Sequence, residues 1–209
     1  MFNAEHVRVK ICGITNPEDA RLAVEAGTDA LGFIFGEGTP RFITPDLAAA
    51  IISELPPFVT PVGVFWDHPP GHVKAVAEAC GIRVLQFHGA EPPETLGEYR
   101  MPVIKTIKVE RAADLRQMDG YRVAAFLLDS PARWSEGEAG QPIQWRLARE
   151  AASRGPIILS AGLTPDNVAT AIQIALPYGV DVNSGVETVP GRKDPEKVRR
   201  FIRAAKGWA

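Results

Sequence analysis

The sequence predicts an α/β protein, a single (β/α)8 barrel over residues 1–209, and three observations carry that expectation. Short β-branched runs recur about eight times, each followed by a segment with helical periodicity. Strands that alternate with helices pair in parallel, because a right-handed helical crossover returns the chain to the same edge of the sheet. Nearly every run ends in polar or glycine residues, and no GxGxxG fingerprint follows the first one, which favours a closed barrel with its site in the βα loops over an open dinucleotide-binding sheet.

The runs are VRVKIC (7–12), DALGFIF (29–35), TPVGVFW (60–66), IRVLQFH (82–88), PVIKTIKV (102–109), AAFLLD (124–129), PIILSAG (156–162) and GVDVNSG (179–185). Four segments repeat one helix-start device: Asn16-Pro17-Glu18, Thr44-Pro45-Asp46, Thr164-Pro165-Asp166 and Asp194-Pro195-Glu196. The first residue caps an orphan N–H, proline has φ preset, and the acid suits the positive end of the helix. Gly27 and Gly81 follow helical runs and precede strands, where left-handed C′ residues are expected. The stretch from Ser130 to Pro142 is the one long connection, a candidate lid.

The totals bound the function. A chain of 209 residues with 45% hydrophobic and 23% charged residues suits one soluble domain. A net charge of -2 gives no basic field for a nucleic-acid backbone. No apolar run reaches the roughly 20 residues that span a bilayer. MFNAEHVRVK lacks the apolar segment of a signal peptide, so a cytoplasmic location is expected. Both a monomer and a homodimer fit the pattern. Cys12 and Cys80 are too few for a disulfide framework, and the four histidines form no metal-ligand pattern; neither metal nor cofactor is expected.

Chemistry concentrates at the strand ends. Cys12 closes the first run with Lys10 on the same face about 7 Å away; a nearby ammonium favours a thiolate that could act as base or nucleophile, and a buried inert cysteine is the competing reading. Asp129 closes the sixth run after an apolar stretch, where desolvation would keep a proton available for general-acid work. Capping of the following loop is its alternative. Arg41, in GEGTPRF after the second run, is either a carboxylate clamp or an exposed loop residue. His88, in LQFHG, either lines the pocket or is structural. SAGLTPDNV and VNSGVETVPG place glycines and free backbone N–H groups after the last two runs, where β/α barrels often hold a phosphate.

Read in order, KICGIT, GTPRFI, VGVFWD, LQFHG, FLLDS, LSAGLTPDNV and DVNSGVETVPGRKD resemble the signature segments of phosphoribosylanthranilate isomerases, from Val9 to about Asp194. The resemblance implies a barrel enzyme of tryptophan biosynthesis with Cys12 as general base and Asp129 as general acid. It places Arg41 near the anthranilate carboxylate, and the phosphate on Gly162 to Leu163 and Ser184 to Gly185. The implied reaction is a cofactor-free Amadori rearrangement of a small phosphorylated substrate. The chain departs from the family pattern in SEGEAGQPIQW after Asp129, in Ala161 where glycine is common, and in Asn183 where serine is frequent. Rival readings are another sugar-phosphate barrel enzyme, including a lysine-based one using Lys10 or Lys105, and a catalytically silent phosphosugar binder.

Overall fold

In a computed structural model the described residues are 7–130, 145–160 and 162–208. Eight parallel strands close into a barrel in sequence order: β1 (Arg8–Ile11), β2 (Ala30–Ile34), β3 (Thr60–Phe65), β4 (Val84–Phe87), β5 (Val103–Lys108), β6 (Ala125–Asp129), β7 (Ile157–Leu159) and β8 (Gly179–Val182). Closure is made by β1 against β8, with Lys10 opposite Asp181 and Ile11 opposite Val182. The barrel expectation therefore holds, and each strand lies within the run that foretold it.

Alternation divides every strand into two faces. Outward residues such as Ile11, Leu31, Phe33, Phe65, Leu85, Phe87, Leu128 and Val180 join the large core between the barrel and its helices. Inward residues stack in levels. Val62, Ile104, Ala125, Leu127 and Ile158, with Ala30 and Val84 beside them, fill the N-terminal half with an apolar plug. Above it, Lys10 and Asp181 meet inside the barrel, and Gln86 Nε2 donates to Thr106 Oγ1. Cys12, Ile34, Val64 and Trp66 form a small cluster nearer the C-terminal mouth.

The helices are α1 (Pro17–Glu25), α2 (Pro45–Ser53), α3 (Pro70–Cys80), the single turn α4 (Pro93–Leu96), α5 (Trp145–Ala151), α6 (Val168–Ala175) and α7 (Pro195–Lys206). Three of the four expected starts cap as read. Asn16 accepts from Asp19 N, Thr44 from Leu47 N, and Asp194 from Glu196 N and Lys197 N. The fourth differs: Thr164-Pro165-Asp166 forms a turn and α6 begins at Val168. There Asn167 Oδ1 accepts from Thr164 N, and its Nδ2 donates to Gly162 O, so the polar groups close the loop on itself before the helix starts. Gly81 has φ 74° at the end of α3 and Gly27 has φ 94° after α1, both left-handed as expected. Between β5 and β6 a 3-10 helix (Ala112–Met118) replaces a full α-helix.

One element was absent from the sequence reading. After β8 a short 3-10 turn (Ser184–Val186) leads into an antiparallel hairpin, β9 (Glu187–Val189) and β10 (Arg192–Lys193). It turns through Pro190-Gly191, where Gly191 has φ 83° and a Cβ would stand 2.8 Å from Pro40 O. The hairpin thus lies against the loop after β2, and Thr15 Oγ1 donates to Gly191 O at 2.6 Å.

Candidate active site

Cys12 and Asp129 both project into the C-terminal mouth of the barrel. Room for the thiol comes from Gly32 on β2, since a Cβ there would lie 2.7 Å from Cys12 Sγ and 3.1 Å from Lys10 Cε. Cys12 is 5% exposed. The Lys10 ammonium does favour the thiolate, as expected, but burial outweighs it. Lys10 Nζ donates to Asp181 Oδ1 at 2.6 Å, which partly neutralises it. Burial pushes the Cys12 thiol up; the Lys10 and Lys193 ammoniums oppose that rise, Asp181 adds to it, and the net position is above 9.0. The resting group is therefore a thiol. Lys10 stays charged, because Asp181 and Cys12 outweigh the burial that would lower it.

Asp129 ends β6 at the mouth. Burial raises its carboxyl to about 6, against the opposing Ser130 N–H, which donates to Oδ1 at 2.8 Å. Ser130 begins the expected lid; the rest of that connection, with Ala161, lies outside the described residues. His88 joins Asp129, with Nε2 3.4 Å from Oδ2 and its side chain 7% exposed. Burial first, then the Lys108, Lys105 and Lys10 charges, lower the imidazole to about 3, so His88 is neutral near physiological pH.

Arg41 is not an exposed loop residue. At 4% exposure it grips Glu187, with Nε 3.0 Å from Oε1 and Nη2 2.7 Å from Oε2. Lys193 Nζ binds the same carboxylate at 3.0 Å and also reaches Asn183 Oδ1 at 3.0 Å. Burial works to raise Glu187, but the Arg41 hydrogen bonds and the Lys193 charge hold it below its ordinary value. Burial lowers Lys193 in turn, with Glu187 only partly restoring it. One carboxylate thus ties the loop after β2 to the hairpin after β8. Its Nε–Nη2 edge is taken by Glu187, and among the described residues no hydrogen bond is made by Nη1.

The loops after β7 and β8 touch. A Cβ on Gly185 would fall 1.9 Å from Leu163 O, so only glycine permits this approach. Gly162 has φ 63°. Among the described residues, the N–H groups of Gly162, Leu163, Ser184 and Gly185 donate to no backbone acceptor outside regular elements. Across the mouth, a cavity of about 900 Å³ is lined by residues that include Thr39, Trp66, His88, Thr106, Lys108 and Tyr121.

A lysine-based reaction through Lys105 would need it inside the barrel; it is buried on the outer face of β5 instead. There it donates to Gly89 O at 2.6 Å and Glu91 Oε2 at 2.7 Å, fixing the loop that follows His88. Cys80, assigned no function, packs under α2 with Sγ 3.3 Å from Pro45 O. Asp181, Glu187, Lys193 and Lys108 were not singled out. The acid within the apolar run GVDV and the period of two in Ile104, Thr106 and Lys108 were the available signals.

Residues 9–204 match the family described as N-(5′-phosphoribosyl)anthranilate (PRA) isomerase. The chain belongs to this family. It is 50% identical over 202 residues to the N-(5′-phosphoribosyl)anthranilate isomerase of Geobacter sulfurreducens, covering 97% of this chain and 100% of that protein. Monomers of the dimeric phosphoribosylanthranilate isomerase of Thermotoga maritima superpose with a TM-score of 0.87 at 40% identity, covering 96% of this chain and 99% of that one. A phosphoribosylanthranilate isomerase in complex with reduced 1-(o-carboxyphenylamino)-1-deoxyribulose 5-phosphate gives 0.86 at 40% identity, with the same coverage. This PRA isomerase chain has, among its described residues, no helix long and apolar enough to cross a membrane.

Proposed function

We propose that Cys12 and Asp129 carry the two proton transfers of the PRA isomerase reaction, within a single barrel domain. The family's reaction converts N-(5′-phosphoribosyl)anthranilate to 1-(2-carboxyphenylamino)-1-deoxyribulose 5-phosphate, a step of tryptophan biosynthesis. Asp129 donates its proton to the furanose ring oxygen, and the C1′–O bond breaks to leave a protonated Schiff base. Cys12 removes the C2′ proton, the electron pair moves into the iminium, and the enolamine tautomerises to the ketone. The iminium is the electron sink, so the protein supplies acid, base and position.

The observation that carries this reading is the carboxyl of Asp129 raised to about 6 at the barrel mouth, a proton reservoir near neutral pH. Cys12 begins as a thiol, and the cationic iminium forming beside it supplies the charge that favours its thiolate. The phosphate is held on the N–H groups of Gly162, Leu163, Ser184 and Gly185. Arg41 offers Nη1 to the anthranilate carboxylate, and neutral His88 lines the site and contacts the acid.

Fluorescence decay of freshly generated phosphoribosylanthranilate, with chelator present, tests the assignment. Cys12→Ala and Asp129→Asn should each lose at least about 10²–10⁴-fold in turnover while binding the reduced product analogue nearly as wild type does. Retained turnover in either variant would remove that residue from its role.

A dimer is the assembly we favour. Phe58, 94% exposed, stands beside a cavity of about 540 Å³ on the N-terminal face that Val62, Val84, Ile104 and Ile158 line. An apolar knob and an apolar hole on one face suit a two-fold contact with a second copy. Light scattering of wild type and Phe58→Glu tests this; a monomer in both would overturn it.

A further inference from the structure

A buried carboxylate outside the proton-transfer pair holds one wall of the mouth. Glu91 lies in the loop after β4 and is 5% exposed. Its Oε1 accepts from Asp67 N at 2.8 Å and from Gly89 N at 3.3 Å, and its Oε2 accepts from Lys105 Nζ at 2.7 Å. Lys105 is itself buried and also donates to Gly89 O at 2.6 Å. One side chain thus joins the loop after β3, the loop after β4 and strand β5.

The loops fit closely at this joint. A Cβ on Gly89 would stand 2.5 Å from Asp67 Oδ1 and 2.7 Å from Glu91 Oε1. Asp67 has φ 54°, in the left-handed region that a residue with a side chain enters at a cost. Two hydrogen bonds hold it there: its own N–H donates to Glu91, and Ala90 N donates to its Oδ1 at 2.8 Å. The residue before Gly89 is His88, whose Nε2 lies 3.4 Å from Asp129 Oδ2. The residue before Asp67 is Trp66, and both Trp66 and His88 line the cavity of about 900 Å³. Glu91 is not among the lining residues, so whatever it does for the site passes through the two main-chain groups it binds.

We propose that Glu91 is a positioning residue of the isomerisation: by accepting from Asp67 N and Gly89 N it keeps His88 against Asp129 and closes that wall to water. The assignment rests on the role of Asp129 given under the proposed function. Lys105 supplies the counter-charge that lets the carboxylate be buried. Glu91 takes no part in the proton transfers.

Two double variants separate positioning from stability, since replacing both partners of a buried pair leaves no uncompensated charge. Glu91→Gln with Lys105→Met keeps an amide oxygen for the two N–H groups; Glu91→Leu with Lys105→Met removes it. The glutamine pair should turn over phosphoribosylanthranilate nearly as wild type does. The leucine pair should lose about 10- to 100-fold in kcat. The acid limb of its kcat/KM profile, at about 6 in wild type, should move to lower pH, because water reaching Asp129 undoes the burial that raises it. Should the leucine pair not fold, Glu91→Ala with Lys105→Met takes its place with the same expectation, its smaller side chain leaving room for water on the two N–H groups. Wild-type kcat and limb in the pair without an acceptor, or equal losses in the two pairs, would overturn the proposal. Asp129→Asn in the same assay separates the readings. Full turnover there would remove the acid and this proposal with it, whereas its inactivity beside two fully active pairs would remove the positioning role alone.

Discussion

His88 Nε2 stands 3.4 Å from Asp129 Oδ2, and the two groups titrate on opposite sides of their ordinary values. Burial lowers the imidazole to about 3 and raises the carboxyl to about 6. A histidine beside an acid ordinarily suggests an ion pair; here the histidine is neutral wherever the acid titrates. Its ring resonances should therefore show no protonation step of their own between about pH 5 and 9. They should instead follow Asp129 with a midpoint near 6, and that response should vanish in Asp129→Asn. An imidazolium forming near its ordinary value of 6.5 would contradict the arrangement.

The proposed acid, Asp129, and the proposed base, Cys12, have their affinities for protons in reverse order, which sets the expected pH profile. Free enzyme carries Asp129 near 6 and Cys12 above 9.0. The productive form, with Asp129 protonated and Cys12 ionised, has the same proton count as the dominant form between those values. Its fraction is therefore small but constant across that range. The kcat/KM of wild type should rise with pH through about 6 and fall only above 9.0. A profile that instead falls through 6 would mean that Cys12 is already ionised below neutrality. Alkylation of Cys12 with a midpoint above 9.0 is the independent check.

A carboxyl buried in the mouth costs stability. The folded carboxyl of Asp129 lies at about 6 against 3.8 for the ordinary group. For a raised carboxyl the penalty is absent below the unfolded value, grows as pH rises, and is complete above the folded one. Asp129→Asn should accordingly stabilise the protein by up to about 3 kcal/mol near pH 8, with the gain disappearing near 3.8. Urea unfolding at the two pH values measures the difference. A variant no more stable than wild type at the higher pH would show that the charged carboxylate is well solvated.

The barrel was legible because β-branched runs and helix-start signals are local, and each strand lies where its run placed it. Cys12 and Asp129 stood out because a polar or reactive group that closes an apolar run is conspicuous. What escaped was long-range. Nothing near Arg41 in sequence announces that its partner is Glu187, 146 residues away, so a clamp for substrate and a strut for the fold looked alike. The same distance hid the fate of Lys10. Its spacing from Cys12 was readable, but Asp181, 171 residues on, takes its hydrogen bond and changes what it does for the thiol.

That strut can be broken. Glu187 is 6% exposed and accepts from Arg41 and from Lys193, whose side chain is fully buried. Glu187→Gln would leave two cations against a neutral amide, and removing one partner of such a cluster destabilises by about 3–5 kcal/mol. The folded carboxyl is depressed, so its contribution is complete above the ordinary value of 4.5 and is lost as pH falls through the lower folded value. The gap between wild type and Glu187→Gln should be widest near neutral pH and close in acid. At high pH it should narrow again, because Lys193, already lowered by burial, sheds its proton more readily once the carboxylate is gone. Activity should fall as well, since the loop after β2 and the hairpin after β8 lose their common anchor beside Cys12. A variant with wild-type stability at pH 7 would mean that water enters the cluster and solvates both cations.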